Sequence, residues 1–142
     1  MQIVRKANVG WAGGLKDGRG EISVPSGALD KYPYGFSSRF EGVAGSNPEE
    51  LLGAAHAACF TMSITAALDR AGFKAERLDT ESKVELESVE GGFAIPRVSL
   101  TLKARIPGIS VAQFEELAAA AEKNCPVSKL FKAEIALSAT LA

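Results

Sequence analysis

The sequence predicts an α+β fold in which antiparallel sheets wrap around a long, buried central helix. The 18 positions 51–68 carry no formal charge, which is typical of a helix that other parts of the protein cover on all sides. Residues 75–89 and 93–106 alternate apolar and polar side chains on either side of a Gly-Gly turn, which is the pattern of a β-hairpin. Residues 110–123 have the spacing of a second, amphipathic helix.

The segment before the central helix is predicted to contain three short strands. Apolar residues alternate imperfectly over residues 2–11 and again over 19–25, with glycine-rich turns between them, so this region is predicted to be a hairpin. Proline and glycine within residues 32–35 predict a loop. Residues 37–41 are predicted to form the third strand, with Arg39 on the face opposite the neighbouring phenylalanines.

The central helix has clear start and stop signals. Asn47 is a favourable N-cap, Pro48 suits the first helical position, and Glu50 stands where a capping box places its acid. Glu49 is then left for another role. The apolar run continues to Gly72, which is predicted to end the helix.

The last third of the chain is predicted to be helix, short helix and strand. Asn124 is expected to end the amphipathic helix in a left-handed conformation, and Cys125 then precedes Pro126 at the start of a short helix. Residues 133–141 alternate as a final strand. The whole chain, 1–142, is predicted to be a single domain with a mainly antiparallel sheet. A purely apolar helix needs more cover than one chain supplies, so a homodimer is expected.

Charge and composition argue against several classes of function. Lysine and arginine number 16 against 17 aspartates and glutamates, a net charge of −1 without a basic block, so nucleic acid is not an expected partner. The apolar segment is near the lower length limit for a membrane span, but it is rich in alanine and other small residues and lacks interfacial aromatics. No membrane association is expected. Only two cysteines are present and the N-terminus has no apolar signal core, so a reducing cytoplasm is predicted.

The two cysteines have opposite settings. Cys59 lies well inside the central helix, where the helix dipole acts weakly and burial would raise its pKa. If it is reactive, a cation must come from elsewhere, and Arg39, held by Glu49, is the nearest candidate in the order of elements. Otherwise Cys59 is a small apolar filler. Cys125 lies at a helix N-terminus, which favours a thiolate, although a simple cap residue is an equal alternative.

His56 lies three residues before Cys59 on the same helix face, which leaves two interpretations open. A Cys/His nucleophile pair for acyl transfer is one. A core histidine hydrogen-bonded to a backbone carbonyl is the favoured one, because no third orienting group is evident in the sequence. A zinc site built from His56, Cys59 and Cys125 would be one ligand short, so no metal is expected.

Four groups of residues carry a family resemblance: Arg39, residues 47–51 (NPEEL), residues 54–60 (AAHAACF) and residues 125–129 (CPVSK). Together they resemble the osmotically inducible protein C (OsmC) family of thiol peroxidases, and the similarity runs the length of the chain. The sister branch, the organic hydroperoxide resistance proteins, carries a glutamine after the first glutamate and an aromatic residue near the histidine position. Glu50 and His56 therefore indicate the OsmC branch.

The resemblance implies an intertwined homodimer with two sites at the subunit interface. Cys59 would be the peroxidatic thiolate, Arg39 would stabilise it, and Glu49 would orient the arginine. Cys125 would capture the sulfenic acid of Cys59 as a disulfide, and a lipoyl- or thioredoxin-type dithiol would reduce that disulfide. The expected substrates are organic hydroperoxides and, less efficiently, hydrogen peroxide, with no cofactor and no metal.

Two other classes of function remain open at this stage. A peroxide sensor or small apolar-ligand binder would use the same thiols without turnover, and a Cys/His acyl hydrolase would depend on His56. Apolar residues near Cys59 would favour bulky alkyl hydroperoxides over hydrogen peroxide. The candidates for these walls are Phe36, Phe40, Leu51, Phe60 and Met62.

Overall fold

The computed structural model describes residues 1–142, which form six strands and four helices. The strands are β1 (Asn8–Ala12), β2 (Arg19–Ser23), β3 (Tyr32–Tyr34), β4 (Arg77–Val89), β5 (Gly92–Arg105) and β6 (Glu134–Leu141), and the helices are α1 (Phe36–Phe40), α2 (Pro48–Arg70), α3 (Val111–Asn124) and α4 (Pro126–Leu130). The α+β class and the long helix predicted from the sequence are confirmed. The chain divides into two compact units, residues 1–51 and 52–142.

The first unit is a small antiparallel sheet followed by a short helix. β1 pairs with β2 as the predicted hairpin, and β2 pairs with β3. The prediction of a strand at residues 37–41 was wrong, because these residues form α1 and the third strand lies in the segment predicted as a loop. The Ser38 hydroxyl explains the difference: it accepts from the Gly35 N–H at 2.9 Å and donates to the Ser46 carbonyl at 2.9 Å, which holds the chain in a helical turn.

The long helix α2 begins and ends where the sequence predicts. The N–H of Glu50 donates to the Asn47 side-chain oxygen at 2.8 Å, and Gly72 ends the helix with a φ of +83°, which glycine adopts without strain. The Glu50 carboxylate makes no reciprocal bond and is exposed, so the capping box is only half formed. The cap therefore comes from Asn47 alone.

The sheet of the second unit has the order β4-β5-β6. β4 and β5 form the predicted antiparallel hairpin, with a register shift between Glu85 and Glu87. β6 runs parallel to β5 and is the one exception to the predicted, mainly antiparallel pairing of the strands. The physical reason is the connection: α3 and α4 carry the chain from the end of β5 back to its start, and a helical crossover joins parallel strands.

The core of the second unit lies between α2, α3 and β5. Its fully buried members are Phe60, Ile64 and Leu68 from α2, Leu100 and Leu102 from β5, Phe114, Ala118 and Ala121 from α3, and Cys125. Asn124 is the last residue of α3 and is not left-handed, contrary to the prediction. The extended residue Cys125 ends this helix instead, with φ −62° and ψ 120°.

By length and composition, α2 is apolar enough to cross a membrane, and it is the one helix in the chain that is. Its side chains Phe60, Ile64 and Leu68 are nevertheless fully buried against the rest of the second unit. A core helix of a soluble protein accounts for this burial.

Candidate active site

The two thiols lie side by side. The Sγ atoms of Cys59 on α2 and Cys125 before α4 are 3.0 Å apart, and both cysteines are free. A disulfide needs about 2.05 Å between the sulfurs. The remaining gap is about 1 Å, so the two elements need no rearrangement to form the bond.

Cys125 reaches this position because it separates two helices. Its N–H closes α3 by donating to the Ala121 carbonyl at 2.9 Å, and Pro126 occupies the first position of α4. The chain changes direction between α3 and α4, and the side chain of Cys125 is fully buried there. Cys59 is partly exposed. The predicted place of Cys125 at a helix N-terminus is confirmed.

The pKa values of the two thiols are shifted in opposite directions. Burial raises the pKa of the Cys59 thiol and the hydrogen bond to Cys125 raises it further, against an opposing bond from the Val127 N–H. Burial also acts to raise the pKa of Cys125, but hydrogen bonds from Cys59, from the N–H and hydroxyl of Ser128 and from the Val127 N–H together lower it. The two sulfurs are close enough for either thiol to donate a hydrogen bond to the other. Burial therefore suppresses ionisation of Cys59, as its place inside the helix predicted.

Arg39 and Glu49 form a close ion pair within the first unit. The Nη2 atom of Arg39 lies 2.6 Å from Oε1 of Glu49, and its Nε lies 3.2 Å from both carboxylate oxygens. This pairing was expected from the sequence, although Arg39 projects from a helix and not from a strand. A carboxylate that engages two guanidinium nitrogens fixes the orientation of the cation.

His56 has a partner that the sequence analysis missed. Its Nε2 lies 2.7 Å from the hydroxyl of Ser128, so the prediction of a bond to a backbone carbonyl was wrong. Ser128 is the third residue of α4 and Cys125 is the N-cap of that helix, and the side chain of an N-cap lies near the third helical position. The CPVS spacing therefore contained a signal that a hydroxyl lies beside Cys125.

The remaining predicted site residues are divided between the units. Phe36, Phe40 and Leu51 belong to the first unit, whereas Phe60 and Met62 belong to the second. Phe60 is fully buried in the core and so presents no surface to a substrate, while Met62 is exposed. No group of three or more histidine, cysteine, aspartate or glutamate side chains is arranged to hold a metal ion.

A thiol on a long core helix, with a second thiol beside it at the start of α4 and a sheet packed against the same core, defines a class of protein. The family model described as OsmC-like protein matches residues 41–140. The chain belongs to the OsmC-like family.

Particular relatives refine this assignment. The chain is 46% identical to Peroxiredoxin OsmC of Escherichia coli (strain K12) over 137 residues, which cover 96% of each protein. It is 34% identical over 103 residues to an organic hydroperoxide resistance protein of Xanthomonas axonopodis pv. citri (strain 306), covering 71% of this chain and 70% of that one. Among solved structures, OhrB of Bacillus subtilis, an organic hydroperoxide resistance protein, matches with a TM-score of 0.68 and 27% identity, covering 96% of this chain and 98% of that one.

A more distant structure supports the fold alone. An OsmC-like protein of unknown function from Vibrio cholerae matches with a TM-score of 0.78 at 18% identity, covering 98% of this chain and all of the other. The helix and sheets of this chain therefore follow the architecture that these proteins share.

Proposed function

We propose that the protein is a cysteine-based peroxidase that reduces organic hydroperoxides. The observation that carries the proposal is the 3.0 Å contact between the sulfurs of Cys59 and Cys125. The relatives of this protein that are named Peroxiredoxin OsmC and organic hydroperoxide resistance protein support the same reaction class. A thiol that attacks a peroxide and a second thiol within reach of the product are the two groups that such a reaction needs.

In the proposed cycle, the thiolate of Cys59 attacks the terminal oxygen of the hydroperoxide. The O–O bond breaks, the alcohol leaves after taking a proton, and Cys59 becomes a sulfenic acid. Cys125 then attacks the Cys59 sulfur, which forms the disulfide and releases water. Cys59 takes the first role because it is partly exposed, whereas Cys125 is fully buried.

The same difference in exposure decides which sulfur of the disulfide the reductant attacks. A dithiol of the lipoyl or thioredoxin type attacks the exposed sulfur of Cys59, and Cys125 departs as the leaving thiolate. Burial opposes ionisation of Cys125, but the hydrogen bonds from Ser128 and Val127, which act to lower its pKa, do not depend on the Cys59 proton and favour Cys125 as the leaving thiolate. A cytoplasmic location supplies such reductants and keeps both thiols free.

Arg39 and Glu49 are proposed to activate Cys59. Because burial raises the pKa of this thiol, a cation must stabilise the thiolate before it can attack. Arg39 is the candidate because Glu49 already fixes its guanidinium through Nε and Nη2 and leaves Nη1 available to a sulfur or a peroxide oxygen.

Turnover in excess dithiol tests the function. With dithiothreitol and cumene hydroperoxide, the wild-type protein is expected to consume many equivalents of peroxide. The Cys125→Ser variant is expected to undergo the first oxidation and then accumulate a sulfenic acid or a mixed disulfide with the dithiol, seen by mass spectrometry. A single stoichiometric oxidation of the wild-type protein, with no further peroxide loss, would instead indicate a peroxide sensor.

A homodimer is proposed from the exposed face of α2. Along this face lie small residues and Met62, whose side chain is 76% exposed. The members of this face are Ala54, Ala55, Ala58, Met62, Thr65 and Ala66. An apolar helix face of this kind is stabilised by contact with a second copy of the same helix.

Changing Met62 to glutamate is expected to weaken the dimer, because it places a charge on each copy at the proposed contact. Sedimentation of the wild-type protein should show a dimer, and the variant should shift towards monomer. Leu130→Glu is the matched control, since Leu130 is equally exposed, at 75%, but belongs to α4 and not to α2. A wild-type monomer at micromolar concentration would contradict the proposal.

A further inference from the structure

The two free thiols are the only cysteines of the chain, and a shared backbone oxygen fixes the elements that carry them. The hydroxyl of Ser63, four residues after Cys59 on α2, donates to the carbonyl of Ala121 at 3.0 Å. The N–H of Cys125 donates to the same carbonyl at 2.9 Å. All four residues belong to the second unit, and the two Sγ atoms are held 3.0 Å apart before anything binds to them.

A pair of thiols held in this way is suited to chelate one soft ion. Thiolates prefer soft, polarisable partners over hard cations such as magnesium or calcium. Once the first sulfur has bound the ion, the second sulfur binds it within the same molecule, which raises the affinity by about 100-fold or more. A pair that is already in position loses little freedom on binding.

The separation of the sulfurs indicates which kind of ion fits. With a bond of about 2.3 Å, the length found in zinc thiolates, a linear ion separates its two sulfurs by about 4.6 Å and a tetrahedral ion by about 3.8 Å. Trivalent arsenic carries a lone pair and forms three bonds at angles slightly above a right angle, so at a similar bond length it separates two sulfurs by about 3.3 Å. The observed separation of 3.0 Å is nearest to the arsenic geometry.

The surroundings of the thiols also favour an ion with three bonds over one with four. Structural zinc takes four protein ligands, whereas no group of three or more histidine, cysteine, aspartate or glutamate side chains is arranged to hold a metal ion. The Nε2 of His56 lies 2.7 Å from the Ser128 hydroxyl and is engaged there. Two sulfurs and one hydroxide complete the bonds of trivalent arsenic, and the partial exposure of Cys59 gives the hydroxide access to solvent.

We propose that Cys59 and Cys125 form a binding site for trivalent arsenic, taken up as arsenous acid. Cys59 binds first because it is partly exposed, and Cys125 closes the chelate. Two arsenic–oxygen bonds break and two arsenic–sulfur bonds form. Each departing hydroxide takes the proton of one thiol, so two waters are released and the third hydroxyl stays on arsenic. No electrons are transferred, and the binding needs only the reduced thiols and not the peroxidase function.

Bound arsenic occupies both sulfurs that the proposed peroxidase cycle uses. The sulfur of Cys59 is then unavailable to a hydroperoxide, and Cys125 cannot form the disulfide. One equivalent of arsenite, added before the peroxide, is therefore expected to prevent oxidation of the reduced protein. Excess dithiothreitol should remove the arsenic and restore the reaction, because it chelates arsenic through two thiols in the same way.

Titration of freshly reduced, desalted protein with sodium arsenite tests the site. The wild-type protein is expected to bind one arsenic per chain, seen by native mass spectrometry, and the near-ultraviolet absorbance of the arsenic–sulfur bonds gives the Kd. Cys59→Ser and Cys125→Ser each leave one sulfur and are expected to bind about 100-fold more weakly. Wild-type affinity in either variant would overturn the proposal, and so would a reduced wild-type protein that binds no arsenic at millimolar arsenite.

Two measurements on the wild-type protein do not depend on the folding of the variants. X-ray absorption spectroscopy of the complex should show two sulfur atoms and one oxygen atom bound to arsenic. One sulfur would contradict the chelate, and three would mean that arsenic is shared between chains, which also contradicts it. Protein oxidised with diamide, in which a disulfide joins the two sulfurs, is the matched control and should bind no arsenic.

The arsenic site and the peroxidase function fail independently. A reduced wild-type protein that binds one arsenic through two sulfurs but consumes no peroxide would support the site and contradict the peroxidase function. Sustained peroxide turnover by a protein that binds no arsenic would overturn the site alone.

Discussion

Replacing Cys59 with serine is expected to abolish peroxide consumption, to the rate seen without protein. A hydroxyl is far less nucleophilic than a thiolate, so no attack on the O–O bond takes place. Serine is close to cysteine in size, and the site is partly exposed, so the fold should be retained. The measurement is hydroperoxide loss with excess dithiothreitol, together with thermal unfolding to confirm that the variant is folded.

Cys125→Ser supplies the matched control for this result. Both variants lose the disulfide, yet only the Cys59 variant should fail to react with the first equivalent of peroxide. If Cys59→Ser retained the first oxidation and Cys125→Ser lost it, the roles of the two thiols would be reversed. Burial opposes ionisation of Cys125, but hydrogen bonds outweigh this effect and lower its pKa. Because a lower pKa favours the thiolate, the comparison tests whether Cys125 or Cys59 attacks the peroxide.

Replacing Arg39 with methionine is expected to slow the first oxidation about 100-fold at neutral pH. Burial raises the pKa of Cys59, and the proposed role of Arg39 is to lower it, so removal of the cation leaves less thiolate. The variant should regain rate as the pH rises towards the pKa of the unassisted thiol, because the thiolate fraction then increases. Stopped-flow measurement of the first oxidation across a pH series checks both effects.

Two further substitutions separate a local role from a general charge effect. Glu49→Gln keeps a hydrogen-bonding group beside Arg39 but loses the ion pair, and should give a smaller loss than Arg39→Met. Arg77→Met removes an exposed arginine that pairs with Asp79 on β4 and should leave the rate unchanged. An unchanged rate in Arg39→Met would remove Arg39 from the proposed site.

Local signals in the sequence predicted the elements that carry their own pattern. Side-chain alternation and a Gly-Gly turn were enough for the β4–β5 hairpin, and Asn47 and Gly72 bounded α2 because caps act within one helical turn. Pro126, which suits the first position of a helix, likewise predicted that Cys125 lies at the N-terminus of α4. The pairing of Arg39 with Glu49 was also expected, since a free acid and a nearby cation were both evident.

The errors lie where contacts that side-chain alternation does not reveal decide the structure. Residues 36–40 alternate like a strand, but bonds from Ser38 to Gly35 and Ser46 make them a helix. Alternation also predicted β6 without its direction, which depends on the crossover through α3 and α4. The partner of His56 is 72 positions away in the sequence, so no local pattern identifies it, although the spacing from Cys125 to Ser128 was visible.

The short distance between the sulfurs has a consequence for how the protein tolerates high peroxide. A sulfenic acid can be oxidised irreversibly by a second peroxide molecule, in competition with capture by a neighbouring thiol. Capture across 3.0 Å is a first-order process that needs no unfolding of α4, so its rate does not depend on the oxidant concentration. Hyperoxidation, by contrast, scales with that concentration. In the proposed cycle, the position of Cys125 is therefore expected to favour disulfide formation over hyperoxidation of Cys59 when peroxide accumulates.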